Sequence, residues 1–265
     1  MVFASISSGS SGNSIYVGSD TTHILVDAGI SGKRIEDGLR KMDIKASELD
    51  AIFVTHEHID HTQGLGIMAR RYGIPIYATR GTIEGIKNTQ SLGKIDDELF
   101  IPVKADEKVC VKDLIINPMR TSHDANEPCA YRIKCEDKQV GIITDLGTYD
   151  EYTIESLKGM NLLFAEANHD VRMLEAGPYP YVLKRRILSD RGHLSNENSG
   201  RMISKLLHDN LSHIILGHLS KENNMPELAF ETVRLEIEAS DNCYHGNDFR
   251  LSVAKRSEPM EAITI

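Results

Sequence analysis

The sequence has no apolar stretch long enough to cross a lipid bilayer. Hydrophobic residues make up 40% of its 265 residues, but no run approaches the roughly 18 consecutive apolar residues that a transmembrane helix needs. The segment Met1–Ser19 is rich in serine and glycine and lacks the basic start and the apolar core of a signal peptide. These absences favour a protein that is neither embedded in a membrane nor secreted.

Cysteines are also few, and none of them forms a recognisable pair. Cys110, Cys129, Cys135 and Cys243 lie far apart, and no C-x-x-C motif occurs. This spacing argues against a disulfide framework. We therefore expect four buried, reduced thiols in a cytoplasmic protein.

Positive charge is outweighed by negative charge. The chain has 30 lysines and arginines against 39 aspartates and glutamates, which gives a formal net charge of −9. An acidic balance argues mildly against nucleic-acid binding, because phosphate contacts need basic residues. Bound divalent metal ions would reverse the charge locally, however, and basic clusters can coexist with an acidic surface. Composition alone therefore leaves the class of substrate open.

The stretch Val54–His61 carries the densest group of metal-binding residue types. It contains the pattern His56-x-His58-x-Asp60-His61. Extended backbone alternates sides, so we expect His56, His58 and Asp60 to point the same way. His61 would diverge where the chain turns into a helix. Such a row of ligands can serve two neighbouring metal ions. The alternative is a histidine-rich surface loop, but an apolar strand pattern precedes the stretch and a helical pattern follows it.

Four further polar residues each follow an apolar strand pattern: Asp27, His123, Asp145 and His218. In an α/β sandwich such strand ends gather along one edge, so these side chains could converge with the cluster. Taken singly, each residue also fits an ordinary role, such as a carboxylate that caps a turn. The segments 23–29 and 139–147 share a longer pattern, an apolar run followed by Asp, any residue and Gly, which hints at two related halves.

Other parts of the chain allow more than one interpretation. The small residues of Ser8–Asn13 predict a tight hairpin turn, or a loop whose amides approach a phosphate. Lys184, Arg185 and Arg186 form the densest basic cluster, which fits a solvated helix face or a contact with phosphates. We predict a helix over Asn196–His208 and a frayed tail beyond Arg256. No linker interrupts the chain, so we predict one domain over residues 1–265.

Together these residues resemble the metallo-β-lactamase superfamily over nearly the whole chain. The resemblance implies an α/β fold, a four-layer αββα sandwich, with two divalent metal ions that activate a bridging water. One ion would bind His56, His58, His123 and Asp145, and the other would bind Asp60, His61, His218 and the shared Asp145. Asp27 would orient a ligand from outside the ligand set. Imidazoles and carboxylates without a thiolate suit zinc, manganese or iron.

Two more segments resemble motifs of the nuclease branch of this superfamily, which includes ribonuclease Z. They are Phe164–His169, which contains Glu166, and Gly192–Ser195, which contains His193. In that branch the histidine, held by the glutamate, is thought to protonate the departing sugar oxygen. A phosphodiester has a poor leaving group and therefore needs such an acid. The resemblance thus implies Asp60, Glu166 and His193 as catalytic residues.

Departures from ribonuclease Z narrow the resemblance. The chain has no long arm for binding tRNA, and the 72 residues between Asp145 and His218 leave no room for the extra domain of β-CASP nucleases. The small stand-alone YycJ/WalJ-type group shares Ser8–Asn13, Asn168–Val171 and Lys184–Asp190. That group is thought to act on DNA as a 5′-to-3′ exonuclease. The resemblance implies a DNA phosphodiesterase whose Lys184, Arg185 and Arg186 contact phosphates.

Three alternatives remain at this point. An RNA-cleaving nuclease would use the same residues. A thioester or lactone hydrolase of the same fold would be indifferent to the basic cluster. A metal-stabilised binding protein usually shows lost ligands, and none is missing here.

Overall fold

The structure, a computed structural model, describes residues 1–265. Contacts between residues divide the chain into two compact units. The first unit comprises Met1–Arg120, Ala125–Lys138 and Lys255–Ile265, and the second comprises Thr121–Asp124 and Gln139–Ala254. The prediction of one domain over residues 1–265 stays a prediction.

The first unit contains a mixed sheet and its covering helices. Its elements are β1 (Val2–Ser7), β2 (Ser14–Gly18), β3 (His23–Val26), α1 (Gly32–Arg40), β4 (Ala51–Phe53), α2 (Ile59–Thr62), α3 (Leu65–Tyr72), β5 (Ile76–Thr79), α4 (Arg80–Asn88), β6 (Phe100–Val103), β7 (Val109–Val111), β8 (Leu114–Arg120), β9 (Cys129–Cys135) and β14 (Ile263–Thr264). The sheet order is β14-β1-β2-β3-β4-β5-β6. Pairing is antiparallel from β14 to β3 and parallel from β3 to β6. Strands β7, β8 and β9 form an antiparallel meander.

The apolar core of the first unit lies between this sheet and its helices. Helix α1 begins after Ser31, whose hydroxyl accepts a hydrogen bond from the Arg34 amide at 3.4 Å, as expected of an N-cap. Ile35 and Leu39 are four residues apart on one face of α1, and both are fully buried. They join a cluster that also contains the inward side chains of β3, β4 and α3. The buried face of α1 thus fixes the loop between β3 and the helix.

The second unit is built on parallel strands. Its elements are β10 (Lys138–Ile143), α5 (Glu151–Leu157), β11 (Leu162–Glu166), α6 (Val171–Ala176), α7 (Tyr181–Ile187), α8 (Asn196–Ser204), β12 (His213–Gly217), α9 (Pro226–Glu238) and β13 (Arg250–Val253). Strands β10 to β13 pair in parallel with their neighbours in chain order. Their carboxyl ends therefore lie along one edge, which is where α/β sheets usually place a site.

The strands of the chain make two mixed sheets flanked by helices. This architecture is an α/β sandwich and confirms the predicted fold class. Each sheet combines antiparallel hairpins with parallel strands that alternate with helices, so the chain needs both hairpin turns and helical crossovers.

None of the helices is both long enough and apolar enough to span a membrane.

Several local predictions were wrong. The tail beyond Arg256 is not frayed throughout, because β14 pairs with β1 and satisfies backbone groups at that edge of the sheet. The helix that starts at Asn196 ends at Ser204 and does not reach His208. All four cysteines are free thiols, but Cys110 and Cys243 are exposed. Cys110 lies on the outward face of β7, a short strand. The prediction of burial failed because the spacing of cysteines in a sequence carries no information about their burial.

Candidate functional site

Asp27 lies directly after β3 and is held by the residues around it. Its backbone has a φ of 63°, a left-handed conformation that aspartate tolerates better than most residues. The buried carboxylate accepts hydrogen bonds from the Thr55 amide at 2.8 Å and the Thr55 hydroxyl at 2.9 Å. It also lies 2.7 Å from Nδ1 of His61. Because a carboxylate only accepts, this contact places the proton of His61 on Nδ1 and leaves Nε2 for another partner.

The histidine signature follows β4 as a loop and one helical turn. His58 is the residue before α2, and Asp60 and His61 lie within that short helix. The expectation that Asp60 continues an alternating extended segment was therefore wrong, because the helix begins at Ile59. Nε2 of His56 lies 3.0 Å from Nδ1 of His58, and the ring centroids of His56 and His61 are 4.1 Å apart. The three imidazoles thus form one group at the end of the strand.

The turn after β1 packs against this group. The Asn13 amide donates to the Asp60 carbonyl at 2.8 Å, and the Asn13 side-chain nitrogen lies 3.2 Å from Nε2 of His61. A Cβ atom on Gly29 would lie 1.7 Å from the Asp60 carbonyl oxygen. Only glycine permits this approach, so the segments Ser8–Asn13 and Asp27–Gly29 position the signature backbone. Sequence patterns gave Asn13 no role, because an asparagine in a serine-glycine turn is also an ordinary turn residue.

In the second unit, Asp145 follows β10 in a similar way. Its φ is 57° and its side chain is buried. The carboxylate oxygens lie 3.3 Å from Nδ1 of His218 and 3.7 Å from both Nε2 of His123 and Nδ1 of His193. His218 also has a positive φ, of 55°, and comes directly after β12. The edge formed by the carboxyl ends of the parallel strands therefore gathers one carboxylate and three imidazoles.

Glu166 ends the neighbouring strand β11 and is fully buried. One carboxylate oxygen lies 2.8 Å from Nδ1 of His193. The other accepts hydrogen bonds from the amides of Leu146 at 2.9 Å and Leu194 at 3.2 Å. These donors engage both oxygens, which argues against Glu166 as a metal ligand. The carboxylate instead fixes the orientation of the His193 ring and places its proton on Nδ1.

His123 is tied to the loop that carries His193. Its Nδ1 lies 3.0 Å from the Gly192 carbonyl, and the Arg191 side chain donates to the His123 carbonyl at 3.0 Å. Burial is the main reason why the pKa of His123 lies below its usual value. A lowered pKa favours the neutral ring, which is the form that binds a metal ion.

A group of buried amides supports these strand ends; Asn168 belongs to segments that resemble family motifs, but sequence patterns assigned none of these asparagines a role. The Asn168 side chain donates to the His218 carbonyl at 2.9 Å. The Asn224 side chain donates to the carbonyl of Asn168 and to the side chain of Asn196. Beside them His169 is buried, and burial lowers its pKa to about 4. Asparagine is common in loops, so only the structure reveals this network.

The three cations of the basic cluster lie on α7 and differ in their contacts. The Lys184 ammonium donates to the Glu175 carbonyl at 2.7 Å. Arg186 forms an ion pair with Asp124, the residue after His123. Arg185 is exposed, and its guanidinium lies 6.0 Å from the centre of the Tyr181 ring. The prediction that these residues contact phosphates stays a prediction.

The residue types present fit a divalent metal ion. In the second unit, the Asp145 carboxylate lies 3.7 Å from Nε2 of His123 and 3.3 Å from Nδ1 of His218. In the first unit, His56, His58 and His61 are grouped beside Asp60. Imidazole and carboxylate donors without a thiolate suit zinc, manganese and iron. The assignment of these residues to two ions stays a prediction.

Comparison with known proteins places these observations in a family. Residues 22–214 match the family model described as "Beta-lactamase superfamily domain". Among curated proteins, the chain is 40% identical to exodeoxyribonuclease WalJ of Streptococcus pneumoniae over 239 residues, 90% of this chain and 89% of that protein. It is also 40% identical to exodeoxyribonuclease YycJ of Bacillus anthracis over 237 residues, 89% of each chain.

Solved structures agree on the fold. The metallo-β-lactamase fold protein YhfI from Bacillus subtilis superposes with a TM-score of 0.71 over 98% of both chains, at 18% sequence identity. At this identity the likeness concerns the arrangement of the strands and helices alone.

Proposed function

Because the chain belongs to the beta-lactamase superfamily, we propose that it is a metal-dependent exodeoxyribonuclease that removes nucleotides from the 5′ end of DNA. The hydrogen-bonded pair of Glu166 and His193, 2.8 Å apart, is the observation that carries this proposal. It lies beside Asp145 and His218, at the edge where the parallel strands end.

The pair supports a reaction with a poor leaving group. Glu166 accepts the Nδ1 proton of His193 and stabilises the imidazolium form of the ring. Nε2 is then the nitrogen that gives a proton to the departing sugar oxygen as the phosphorus–oxygen bond breaks. The thiolate of a thioester and the ring oxygen of an activated lactone depart without such help. Neither substrate therefore explains why a buried carboxylate is hydrogen-bonded to this ring.

The remaining residues would bind the metal ions and the nucleophile. Divalent ions held there would supply hydroxide at neutral pH, because a metal ion lowers the pKa of a bound water towards about 7. Asp145, His123 and His218 are the residues of the second unit that would hold an ion. Asp60 and the histidines of the signature have the same part in the first unit. Zinc, manganese and iron all suit these donors.

DNA as substrate rests on the relatives, and polarity rests on the resemblance to their group. The two curated relatives are named exodeoxyribonucleases, and each aligns with about nine-tenths of this chain. An acidic protein that acts on a polyanion needs a local source of positive charge. The bound ions and the cations of α7 would provide it. A cytoplasmic location is part of this proposal.

A metal-reconstituted assay on labelled strands tests the proposal. The protein, loaded separately with zinc and with manganese, is incubated with DNA and RNA of one sequence that carry free or phosphorylated 5′ ends. We expect mononucleotides to be released from the 5′ end of DNA, with slower reaction on RNA.

Other outcomes would favour the alternatives. Faster release from RNA would indicate an RNA nuclease, and release from the 3′ end would reverse the polarity. Hydrolysis of a thioester or lactone without reaction on either nucleic acid would indicate a small-molecule hydrolase.

A further inference from the structure

Helix α7 begins with two highly exposed apolar side chains. Tyr181 is 73% exposed and Val182 is 78% exposed, more than any other large hydrophobic side chain of the protein. Single exposed apolar residues are common and need no explanation. Here, however, two of them are adjacent at the start of a helix that also carries three cations and no acidic residue.

The cations of α7 indicate which kind of partner this surface would bind. Arg185 lies one helical turn after Tyr181, with its guanidinium 6.0 Å from the ring centre, at the outer limit of a cation–π contact. Lys184 and Arg186 are bonded to Glu175 and Asp124. Tyr181, Val182 and Arg185 therefore form one exposed surface, which we call the α7 platform. Its positive charge favours an anionic partner over an uncharged or basic one, and a DNA strand is the anionic partner of the proposed function.

Helix α7 connects the platform to the residue proposed as general acid. The His193 amide donates to the carbonyl of Ile187, the last residue of α7, at 3.0 Å. From Tyr181 to Ile187 the helix rises about 9 Å. A strand whose bases stay stacked as in B-DNA advances about 3.4 Å per nucleotide, so this length corresponds to about two or three nucleotides of such a strand.

We propose that the α7 platform binds an unpaired base of the substrate strand, two or three nucleotides from the phosphate that is cleaved. The base would stack on the Tyr181 ring, with Val182 beside it and Arg185 near the adjoining phosphate. Every base has an aromatic face, so stacking holds a strand without selecting its sequence. This inference rests on the proposed function and adds to it a binding site for single-stranded DNA.

A double-mutant cycle tests the stacking contact by removing the Tyr181 ring and the DNA base, first separately and then together. Wild type and Tyr181→Ala are compared on single-stranded DNA, either intact or with one abasic spacer placed in turn at each of the first nucleotides. We expect Tyr181→Ala to lower kcat/KM on intact DNA about tenfold, within the range found for base–aromatic stacking. At one spacer position wild type should show the same loss, and the variant should lose little more.

Two matched variants separate stacking from a structural effect. Tyr181→Phe keeps the ring and should stay close to wild type on every strand. Leu235→Ala removes another exposed apolar side chain, 55% exposed on α9, and should leave the pattern of spacer effects unchanged. Equal thermal unfolding of all variants would show that α7 is intact.

The outcomes are distinguishable from those of the proposed function. Independent losses from the ring and the base at every position, or full activity of Tyr181→Ala on intact DNA, would overturn the platform while leaving the exonuclease in place. Wild type that hydrolyses no DNA with any metal would overturn the proposed function, and the platform with it.

Discussion

Asp27 and Asp145 occupy equivalent positions in the two units of the chain. Each follows a buried parallel strand, each has a left-handed backbone with φ near 60°, and each precedes a glycine by two residues. A Cβ on Gly29 would collide with the Asp60 carbonyl, and one on Gly147 would lie 2.3 Å from the Asp190 carbonyl. The same local arrangement, an aspartate with a left-handed backbone followed two residues later by a glycine, therefore turns the chain sharply at the end of a strand in both units.

The surroundings of the two carboxylates differ. Asp27 is bonded to the backbone and hydroxyl of Thr55 and to His61. Asp145 lies among the rings of His123, His193 and His218. A carboxylate bonded to protein donors can orient a ligand, whereas one placed among imidazoles can itself bind a metal ion. The role of each aspartate follows from the residues that the next segments bring to it.

Loss of the Asp145 carboxylate should have the largest effect. Asp145→Asn keeps the size of the side chain and removes the negative charge with which Asp145 would bind a metal ion under the proposed function. We expect kcat on DNA to fall roughly a thousandfold or more, because the nucleophile depends on the metal centre. Metal content and steady-state rates measured on the same sample check this. Unchanged metal content together with an unchanged rate would show that Asp145 does not bind a metal ion and so does not differ from Asp27 in this respect.

The glycines should matter for folding in both units. Gly29→Ala and Gly147→Ala each force a methyl group against backbone, and we expect each to lower the free energy of unfolding by roughly 3 kcal/mol. Gly73→Ala is the control, since no atom lies within 4 Å of its added Cβ. Its cost should be only the roughly 1–2 kcal/mol of a left-handed alanine. Urea unfolding of the metal-free proteins measures all three.

Asp27→Asn should have a smaller effect than Asp145→Asn. The amide can still contact Thr55 but no longer stabilises the Nδ1–H of His61. Partners of this kind typically contribute 10- to 100-fold to metal affinity or activity, and we expect a loss of about thirtyfold in metal affinity. Calorimetric titration with zinc provides the measurement. A loss as large as that of Asp145→Asn would mean that Asp27 is itself a ligand.

The smallest predicted effect applies the same contrast to two arginines. Arg186 is committed to Asp124, whereas Arg185 faces solvent beside Tyr181. Arg185→Ala should weaken DNA binding uniformly across sequences and reduce the slope of log affinity against log salt by about one. Arg186→Ala tests the alternative, because a larger change of slope there would assign the phosphate contact to Arg186.

Much of this account could be predicted from the sequence, because the informative residues stand at strand ends. Apolar runs followed by Asp or His predict both the parallel strands and the polar edge, as at Asp145 and His218. Serine is also a residue type that favours a helix N-cap, and α1 begins directly after Ser31. Glu166 and His193 are separated by 26 residues, and only their resemblance to family motifs linked them before the structure did.

The sequence could not predict features that depend on tertiary partners. Thr55 and Asn13 are ordinary residue types whose importance comes from contacts with Asp27 and Asp60. The helical turn from Ile59 onward overrides the alternation that the histidine signature suggests. Strand β14 is too short to show a period, and it forms because the edge of β1 offers backbone partners. In each case the deciding neighbour is distant in the chain.

The central claim is tested most directly by comparing the loss of rate that His193→Ala causes on substrates with a poor and a good leaving group. General acid catalysis contributes about 10²- to 10⁴-fold where a proton must be delivered, and nitrophenolate departs without one. With metal content held equal to wild type, we expect a loss of that size on DNA and a much smaller loss on bis(p-nitrophenyl) phosphate. Equal losses on both substrates would contradict the assignment of Glu166 and His193 to protonation of the leaving oxygen.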